Sequence, residues 1–425
     1  MATVDVETRA SLAPSPVLWD VVERHFGDAE FLFEQWESAL YSPTYRLAKW
    51  AATVERRLLA HLDGLRIGGP VVAERLLAPV LLDPEEPARA TVAALALLST
   101  GDDSMHVVFD ALEAADDSQQ PALARALVLS EESRIDAWLL KRLEKTHDES
   151  KEALYLEILT GRGTNPEELL RPYLDTACPR LTMAVLEAIR RFAHHKLSLL
   201  ADKFFQSTIP ALRASAIKTG LTFGSRAAWK ACLEVAQSTV QAEPDLFALV
   251  AMLGAPEDHT LLYKPFGTPA LAESALWALG FAGTLEAGEA CLKFLNGKNL
   301  RAAKMAADSL SWIGGFDLYA DEFHLRNVEP SADETLPPFE EENLDADLVP
   351  DGVDELPVPN APAITQWWRA HRRHLSLPPR RTMETLRTAP LWRRHALAME
   401  LSIRSGGAQQ VSTQRFSARQ KREMR

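Results

Sequence analysis

The chain has 425 residues, of which 47% are hydrophobic and 25% are charged, the composition of a globular protein with an ample core. No apolar run approaches the length of a membrane-spanning helix, and residues 1–15 contain no apolar stretch typical of a secretory signal. The net charge is −13, but residues 363–425 alone carry +11 and the remainder carries −24. So acidic a remainder is a poor electrostatic match for nucleic acid.

Residues 1–82 are predicted to form an N-terminal helical cap module. Ser42 and Pro43 combine a capping hydroxyl with a first-turn proline, and they predict a helix that begins there and ends at about Leu62, before Asp63 and Gly64. We interpret the local excess of aromatic residues as a core that seals the first repeat, with a ligand-binding aromatic patch as the alternative. These residues are Trp19, Phe26, Phe31, Phe33, Trp36, Tyr41, Tyr45 and Trp50.

Residues 83–326 repeat with a period of about 30 residues, which is typical of a repeat architecture. The position eight residues before each anchor of the repeat is apolar, and the position five residues before it is mostly small. Two helices of about 12 residues and their turns fill such a period, and a glycine anchor supplies the positive φ that ends a helix. The anchors are Gly101, Glu131, Gly161, Ala193, Gly224, Gly254, Gly283 and Gly314.

Residues 327–362 interrupt the repeat. This stretch contains 11 acidic residues, no Lys or Arg, and seven prolines, a composition that cannot bury enough apolar surface to fold alone. We predict an acidic, proline-rich linker or arm.

The basic end of the chain comprises a predicted C-terminal helical element, residues 363–405, and a predicted disordered tail, residues 406–425. Three explanations of its charge remain open. It closes on the acidic remainder of the same chain, it is an arm for an acidic partner, or Trp367 and Trp368 stack on nucleic-acid bases.

Four stretches near the N-terminus resemble a proteobacterial HEAT-repeat family, whose repeats are similar to those of the phycobilisome-lyase HEAT class. They are Val17 to His25, Glu30 to Phe33, Ser42 to Ala48 and Glu55 to Leu65, and the most specific residues are His61 to Leu65. The resemblance implies an α-solenoid and, because members often lie in type VI secretion gene neighbourhoods, a secretion-linked role. It implies no catalytic residue.

The predicted fold is therefore all-α: a right-handed α-solenoid of about eight HEAT-like helix pairs, with an N-terminal helical cap and a C-terminal helical element. A single pair cannot bury its inner face, so the pairs must stack. The second helix of each pair is expected to line the inner face.

The sequence contains no Gly-x4-Gly-Lys, Gly-x-Gly-x-x-Gly, His-Glu-x-x-His or Gly-x-Ser-x-Gly motif, and Ser215 to Lys218 matches Ser-x-x-Lys without its companion motifs. We predict no catalytic, cofactor-binding or metal-ligating residue. The three cysteines are predicted to be free, as expected for a cytoplasmic protein. The predicted function is a non-enzymatic scaffold that binds another protein, an adaptor, chaperone or immunity-like factor linked to type VI secretion. The alternative is a HEAT-type enzyme, similar to a bilin lyase or a DNA glycosylase. Candidate contact residues are Trp367, Trp368, Arg372, Arg373, Trp138, Trp229 and Tyr263.

Overall fold

The computed structural model describes residues 17–238, 243–263, 269–325, 351–373 and 383–425. Within these ranges every regular element is helical, and extended pairing is limited to two isolated bridges, Arg46 with Pro390 and His324 with Pro359. The all-helical prediction is therefore confirmed. None of the described helices is long and apolar enough to span a membrane. Most of the predicted acidic arm, residues 327–350, lies outside the described ranges.

The chain forms two compact units, whose borders differ from the predicted border at residue 82. The first unit contains the described residues up to Gln35 together with Val54–Glu132, and the second contains Trp36–Thr53 with Ser133–Arg425. The helices up to residue 132 are α1 Trp19–Ala39, α2 Leu47–Trp50, α3 Arg56–Ile67, α4 Gly69–Val72, α5 Pro87–Thr100, α6 Asp102–Ala114 and α7 Gln120–Leu129. Two π-helical turns, Ala51–Glu55 and Ala73–Leu77, and a 3-10 turn, Ala78–Val80, join them.

The helices after residue 132 belong to the second unit, as does α2. They are α8 Arg134–Leu143, α9 Glu149–Arg162, α10 Pro179–Arg191, α11 Pro210–Thr222, α12 Arg226–Gln237, α13 Pro244–Leu253, α14 Pro269–Ala282, α15 Leu285–Leu292, α16 Leu300–Gly314, α17 Ala361–His371, α18 Met383–Thr388, α19 Leu391–Arg404 and α20 Ser417–Glu423. Four 3-10 segments, Glu167–Leu169, Arg171–Tyr173, His195–Phe204 and Asp258–Tyr263, occupy places where a second α-helix of a pair is expected. The prediction of α-helical pairs is wrong for these repeats.

A helix ends at or within three residues of every predicted anchor, namely α5, α7, α9, α10, α11, α13, α14 and α16. Gly101, Gly224 and Gly283 have φ of +145°, +74° and +61°, and Ala193 adopts +53° at the equivalent place. The backbone at these positions therefore has a positive φ, which glycine adopts without strain.

Hydroxyl groups five residues before two anchors connect neighbouring first helices. Ser309 Oγ donates to the Leu276 carbonyl at 2.7 Å, and Thr219 Oγ1 contacts the Leu186 carbonyl at 3.3 Å. Both side chains are fully buried. A small residue at this position allows close approach of the helices, and a hydroxyl there adds a hydrogen bond that a buried polar group requires. In the second unit α9, α10 and α11 pack side by side, as do α13, α14 and α16.

The boundaries of the helix predicted from Ser42 to about Leu62 differ in the structure. The helix begins at Leu47 rather than at Ser42, and α3 continues through Gly64 to Ile67. A Cβ at Gly64 would lie 3.0 Å from the His25 ring, so the glycine makes room for this ring inside the helix. His25 Nδ1 lies 3.0 Å from His61 Nδ1. Two of the four stretches that carry the family resemblance, Val17 to His25 and Glu55 to Leu65, thus meet at a contact between α1 and α3.

Ser42 has a different role from the predicted helix cap. Its hydroxyl donates to Glu355 Oε2 at 2.5 Å, and its carbonyl accepts from the Trp392 N–H at 3.2 Å. The Tyr45 carbonyl accepts from the Leu391 N–H at 2.8 Å. Within the second unit, the segment between α1 and α2 is therefore held by the start of α19 and by the described end of the acidic arm.

The tail 406–425, predicted to be disordered, is folded, and this prediction is wrong. It contains α20, and Arg415, Gln420 and Met424 are buried. Its arginines, with one from α19, donate to carbonyls at the C-terminal ends of repeat helices, where the helix dipole is negative and carbonyls lack helical partners. The pairs are Arg404 Nη2 to Met252 O (2.7 Å), Arg415 Nη1 to Gly161 O (3.0 Å) and Arg419 Nη2 to Arg162 O (3.4 Å).

The basic end therefore closes on its own chain, which was the first of the three explanations of its charge. The helix α19 packs against α11 and α13, both first helices of repeats. This surface of the repeats is consequently occupied by the chain itself.

Candidate partner-binding cleft

The helix α17 is fixed to α15 by the indole of Trp368. The side chain is fully buried, and a Cβ at Gly288 would lie 2.1 Å from its Cη2 atom. The ring therefore occupies the space that the glycine leaves free. Its Nε1 donates to Glu289 Oε1 at 3.1 Å. Trp368 is an anchor of α17, which differs from its predicted role at a partner surface.

The neighbouring Trp367 packs on a different aromatic group. Its ring centroid lies 4.7 Å from Phe316, and it stacks on His371 at 4.5 Å with an interplanar angle of 15°. The side chain is half-buried. Both tryptophans of the predicted site thus contribute chiefly to the attachment of α17.

An open cleft lies beside this attachment, and we name it the α15–α17 cleft. Its volume is about 560 Å³. Three of the seven predicted contact residues, Tyr263, Arg372 and Arg373, meet there although their positions are far apart in the sequence. The lining residues are Tyr263, Leu285, Glu286, Glu289, Ala290, Lys293, Arg372 and Arg373.

The cleft has more positive than negative side chains. Arg372 Nη1 pairs with Glu289 Oε1 at 2.7 Å, so the same carboxylate oxygen serves both this guanidinium and the Trp368 indole. Lys293 and Arg373 have no ion-pair partner among the described residues. These two cations are available to a ligand carboxylate. Leu285, which is 42% exposed, adds apolar surface at the start of α15.

Tyr263 is positioned by the beginning of α15. Burial raises the pKa of its hydroxyl, which also hydrogen-bonds to the Thr284 side chain. Thr284 Oγ1 in turn accepts from the Ala287 N–H at 3.2 Å as the N-cap of the helix. The phenol therefore stays neutral near pH 7 and contributes a ring and a hydrogen-bonding group rather than a charge.

Two predicted residues lie elsewhere. Trp138 is half-buried on α8, with its ring centroid 6.1 Å from Tyr155 and with the Arg142 guanidinium 5.2 Å away. Trp229 is half-buried on α12. Neither side chain lines the α15–α17 cleft.

The sequence prediction missed the contribution of α15 to the cleft. Glu286, Glu289 and Lys293 lie three and four residues apart, so they share one face of the helix. This spacing is visible in the sequence, but it is also typical of any solvated helix surface. What distinguishes this face is its proximity to α17, which follows it by about 70 residues in the chain.

The α15–α17 cleft can bind an anion through its cations and an apolar side chain through its exposed Leu285. A nearby thiol, Cys291 on α15, is fully buried, and burial raises its pKa to about 12. It is therefore protonated near pH 7 and has no nucleophilic character. No group of three or more potential metal ligands occurs in the part of the chain that the structure describes.

No family model matches the sequence, and no curated protein matches it. Among solved structures, an engineered protein aligns with a TM-score of 0.32 and 17% identity, covering 68% of this chain and 89% of that chain. Human deoxyhypusine hydroxylase in complex with glycerol aligns with a TM-score of 0.26 and 14% identity, covering 68% of this chain and 98% of that chain. At these TM-scores neither likeness bears on the function of this chain.

Proposed function

We propose that this chain is a non-enzymatic scaffold that binds another protein at the α15–α17 cleft. In this proposal the repeats form a right-handed, HEAT-like α-solenoid with a helical cap and a C-terminal helical element, and the protein is cytoplasmic. The observation that carries the proposal is the cleft itself. It is open, it contains two cations without an ion-pair partner among the described residues, and it exposes a leucine beside them.

The chemistry of the cleft favours an acidic partner segment. A partner carboxylate placed between Lys293 and Arg373 would form charge-assisted hydrogen bonds. A neighbouring apolar side chain would cover Leu285 and the ring of Tyr263. The negative charge on the rest of the chain favours rapid encounter with basic surfaces, so the cleft is a local exception that selects a carboxylate at one position.

The kind of scaffold follows from the resemblance at residues 17–65. We propose an adaptor, chaperone or immunity-like factor whose partner is a type VI secretion component or effector. Support comes from the way the basic end of the chain occupies a surface of its own repeats. The α15–α17 cleft remains open beside the place where α17 is attached to α15.

The test begins with capture of partners by the full chain from a lysate of its native cells, followed by purification of the captured protein. Its affinity is then measured by titration calorimetry for the wild type and for a cleft variant, Lys293→Glu with Arg373→Glu. The matched control is Arg226→Glu with Lys298→Glu, because both side chains are exposed and lie outside the cleft.

We expect the cleft variant to bind on the order of tenfold more weakly, and the control to bind as the wild type does. Equal affinity of all three proteins would place the partner elsewhere. Capture of DNA without a protein would reject the scaffold and favour the alternative of a HEAT-type enzyme, as would turnover of a chromophore or of alkylated DNA by the purified chain.

A further inference from the structure

A second cleft of about 510 Å³ lies at the C-terminal end of α16, and we name it the α16 cleft. It is contained within the second unit. Three aromatic side chains line it, Trp312, Phe316 and Tyr319, together with the carboxyl groups of Asp308 and Asp317. Its volume is in the range of pockets that hold a small ligand or a single large side chain.

An arginine of the same chain already contacts one of these rings and one of these carboxylates. The guanidinium of Arg393 is fully buried beside the cleft, 5.2 Å from the Trp312 ring centroid and 4.9 Å from that of Phe281. It pairs with Asp308. A planar guanidinium on aromatic faces with one carboxylate is a favourable arrangement for a cation. The same tryptophan therefore already contributes to one guanidinium site.

The α16 cleft also places a second carboxylate, that of Asp317, among aromatic side chains. One oxygen of Asp317 accepts from the Tyr319 N–H at 3.1 Å and shapes the turn after α16. Asp317 has no cationic partner among the described residues. Its second oxygen is therefore free for a ligand cation, next to the Tyr319 and Trp312 rings.

Arg46 also lines the cleft, and its charge opposes a cationic ligand. Its guanidinium is engaged by the Thr388 carbonyl. Burial is the main reason that the pKa of the Tyr319 hydroxyl is raised. The carboxylates of Asp308, Glu355 and Asp317 raise it further, and the opposing effect of Arg46 is weaker than any of these. Because Asp308 is already paired with Arg393, Asp317 is the lining carboxylate that is left to oppose Arg46.

We propose that the α16 cleft binds a guanidinium group, presented as the arginine side chain of a partner protein. The ligand would place its guanidinium against Asp317 and between the Tyr319 and Trp312 rings. A lysine would gain the same charge contact but would lose the planar stacking. This site shares no residue with the α15–α17 cleft, so it stands whether or not that cleft binds an acidic partner.

The test uses the full chain and a short, end-blocked, fluorescently labelled arginine peptide, with anisotropy as the measurement. A citrulline peptide of the same sequence keeps the size and removes the charge. The variant Asp317→Asn keeps an oxygen for the Tyr319 N–H and removes the charge. Glu322→Gln is the matched control, because this exposed carboxylate follows closely in the chain but does not line the cleft.

We expect the arginine peptide to bind about tenfold more tightly than the citrulline peptide. Asp317→Asn should weaken the arginine peptide by a similar factor, and Glu322→Gln should not. Equal binding of the two peptides to the wild type would overturn the proposal, and this comparison needs no variant. An unchanged affinity in Asp317→Asn would also overturn it. Competition by agmatine, a free alkylguanidine, at the same affinity as the peptide would show that the ligand is a small molecule and would refute the partner arginine.

Discussion

The contact between Gly288 and Trp368 makes a sharp prediction about how α17 is held. In Gly288→Ala, the new Cβ would lie 2.1 and 2.2 Å from the Cη2 and Cζ2 atoms of the buried indole. The ring would have to retreat by about 1 Å or more to reach ordinary contact distance. Because the indole also donates to Glu289, its retreat strains that hydrogen bond or shifts the whole helix.

Two opposing terms set the size of the effect. Overpacking of a buried site costs about 1–3 kcal/mol, whereas replacement of glycine by alanine inside a helix contributes about 1 kcal/mol of stability. We therefore expect Gly288→Ala to destabilise the protein by up to about 2 kcal/mol. In a Trp368→Ala background the steric term is absent, so the same substitution should stabilise by about 0.5–1 kcal/mol.

The assay is urea unfolding followed by far-ultraviolet circular dichroism for the four proteins of this double-mutant cycle. Gly27→Ala is the matched control, because Gly27 lies inside α1 and a Cβ there would meet nothing within 4 Å. It should stabilise the protein by about 0.5–1 kcal/mol. The reasoning is refuted if Gly288→Ala behaves like Gly27→Ala, or if its cost is the same with and without the Trp368 ring.

Three further predictions concern charge and the end of the chain. Arg393→Met should destabilise the protein by about 3–5 kcal/mol, because Asp308 is left buried without its cation. Burial raises the pKa of the Asp308 carboxyl, so urea titrations should find a smaller loss of stability at acidic pH, where this group is protonated. Burial lowers the pKa of His61, and His25 and Arg57 lower it further, whereas Asp28 raises it. The unfolded chain therefore binds the proton more readily, so the free energy of unfolding should fall as the pH falls through about 6.5. His61→Gln should flatten this pH dependence, and an equal slope in both proteins would contradict the assignment. Removal of residues 406–425 should lower the free energy of unfolding by about 3 kcal/mol or more, because buried apolar side chains are lost. If the tail were disordered, its removal would leave the free energy of unfolding unchanged.

The repeats could be predicted from the sequence because their signal is local and repeated. A helix stop such as Gly224 and a small residue such as Thr219 recur at fixed spacing, and each is a consequence of one helix meeting the next. The 3-10 segments escaped prediction because the same apolar spacing over a short stretch suits either helix type. His195–Phe204, for example, carries an apolar pattern that an α-helix would also bury.

The folded tail could not be predicted from its composition, because composition describes the segment and not the surface it meets. A stretch rich in Arg, Gln and Ser has too few apolar groups to fold alone. Arg415 and Arg419 nevertheless reach carbonyls at the end of α9, more than 250 residues earlier. The only sequence signal was the opposition of charge between the two parts of the chain. That signal indicated closure, but it gave no register.

The residues predicted to contact a partner were chosen from the sequence by their chemistry alone. Tyr263, Arg372 and Arg373 were chosen for their chemistry, and the fold brings them together. Trp368 was chosen for the same reason, yet the fold buries it. Burial is favourable for a tryptophan ring, because it removes apolar surface from water. Burial is unfavourable for an unpaired guanidinium, because the charge loses its hydration. A pair of neighbouring tryptophans beside arginines is therefore better interpreted as an anchor with a charged rim than as one continuous binding surface.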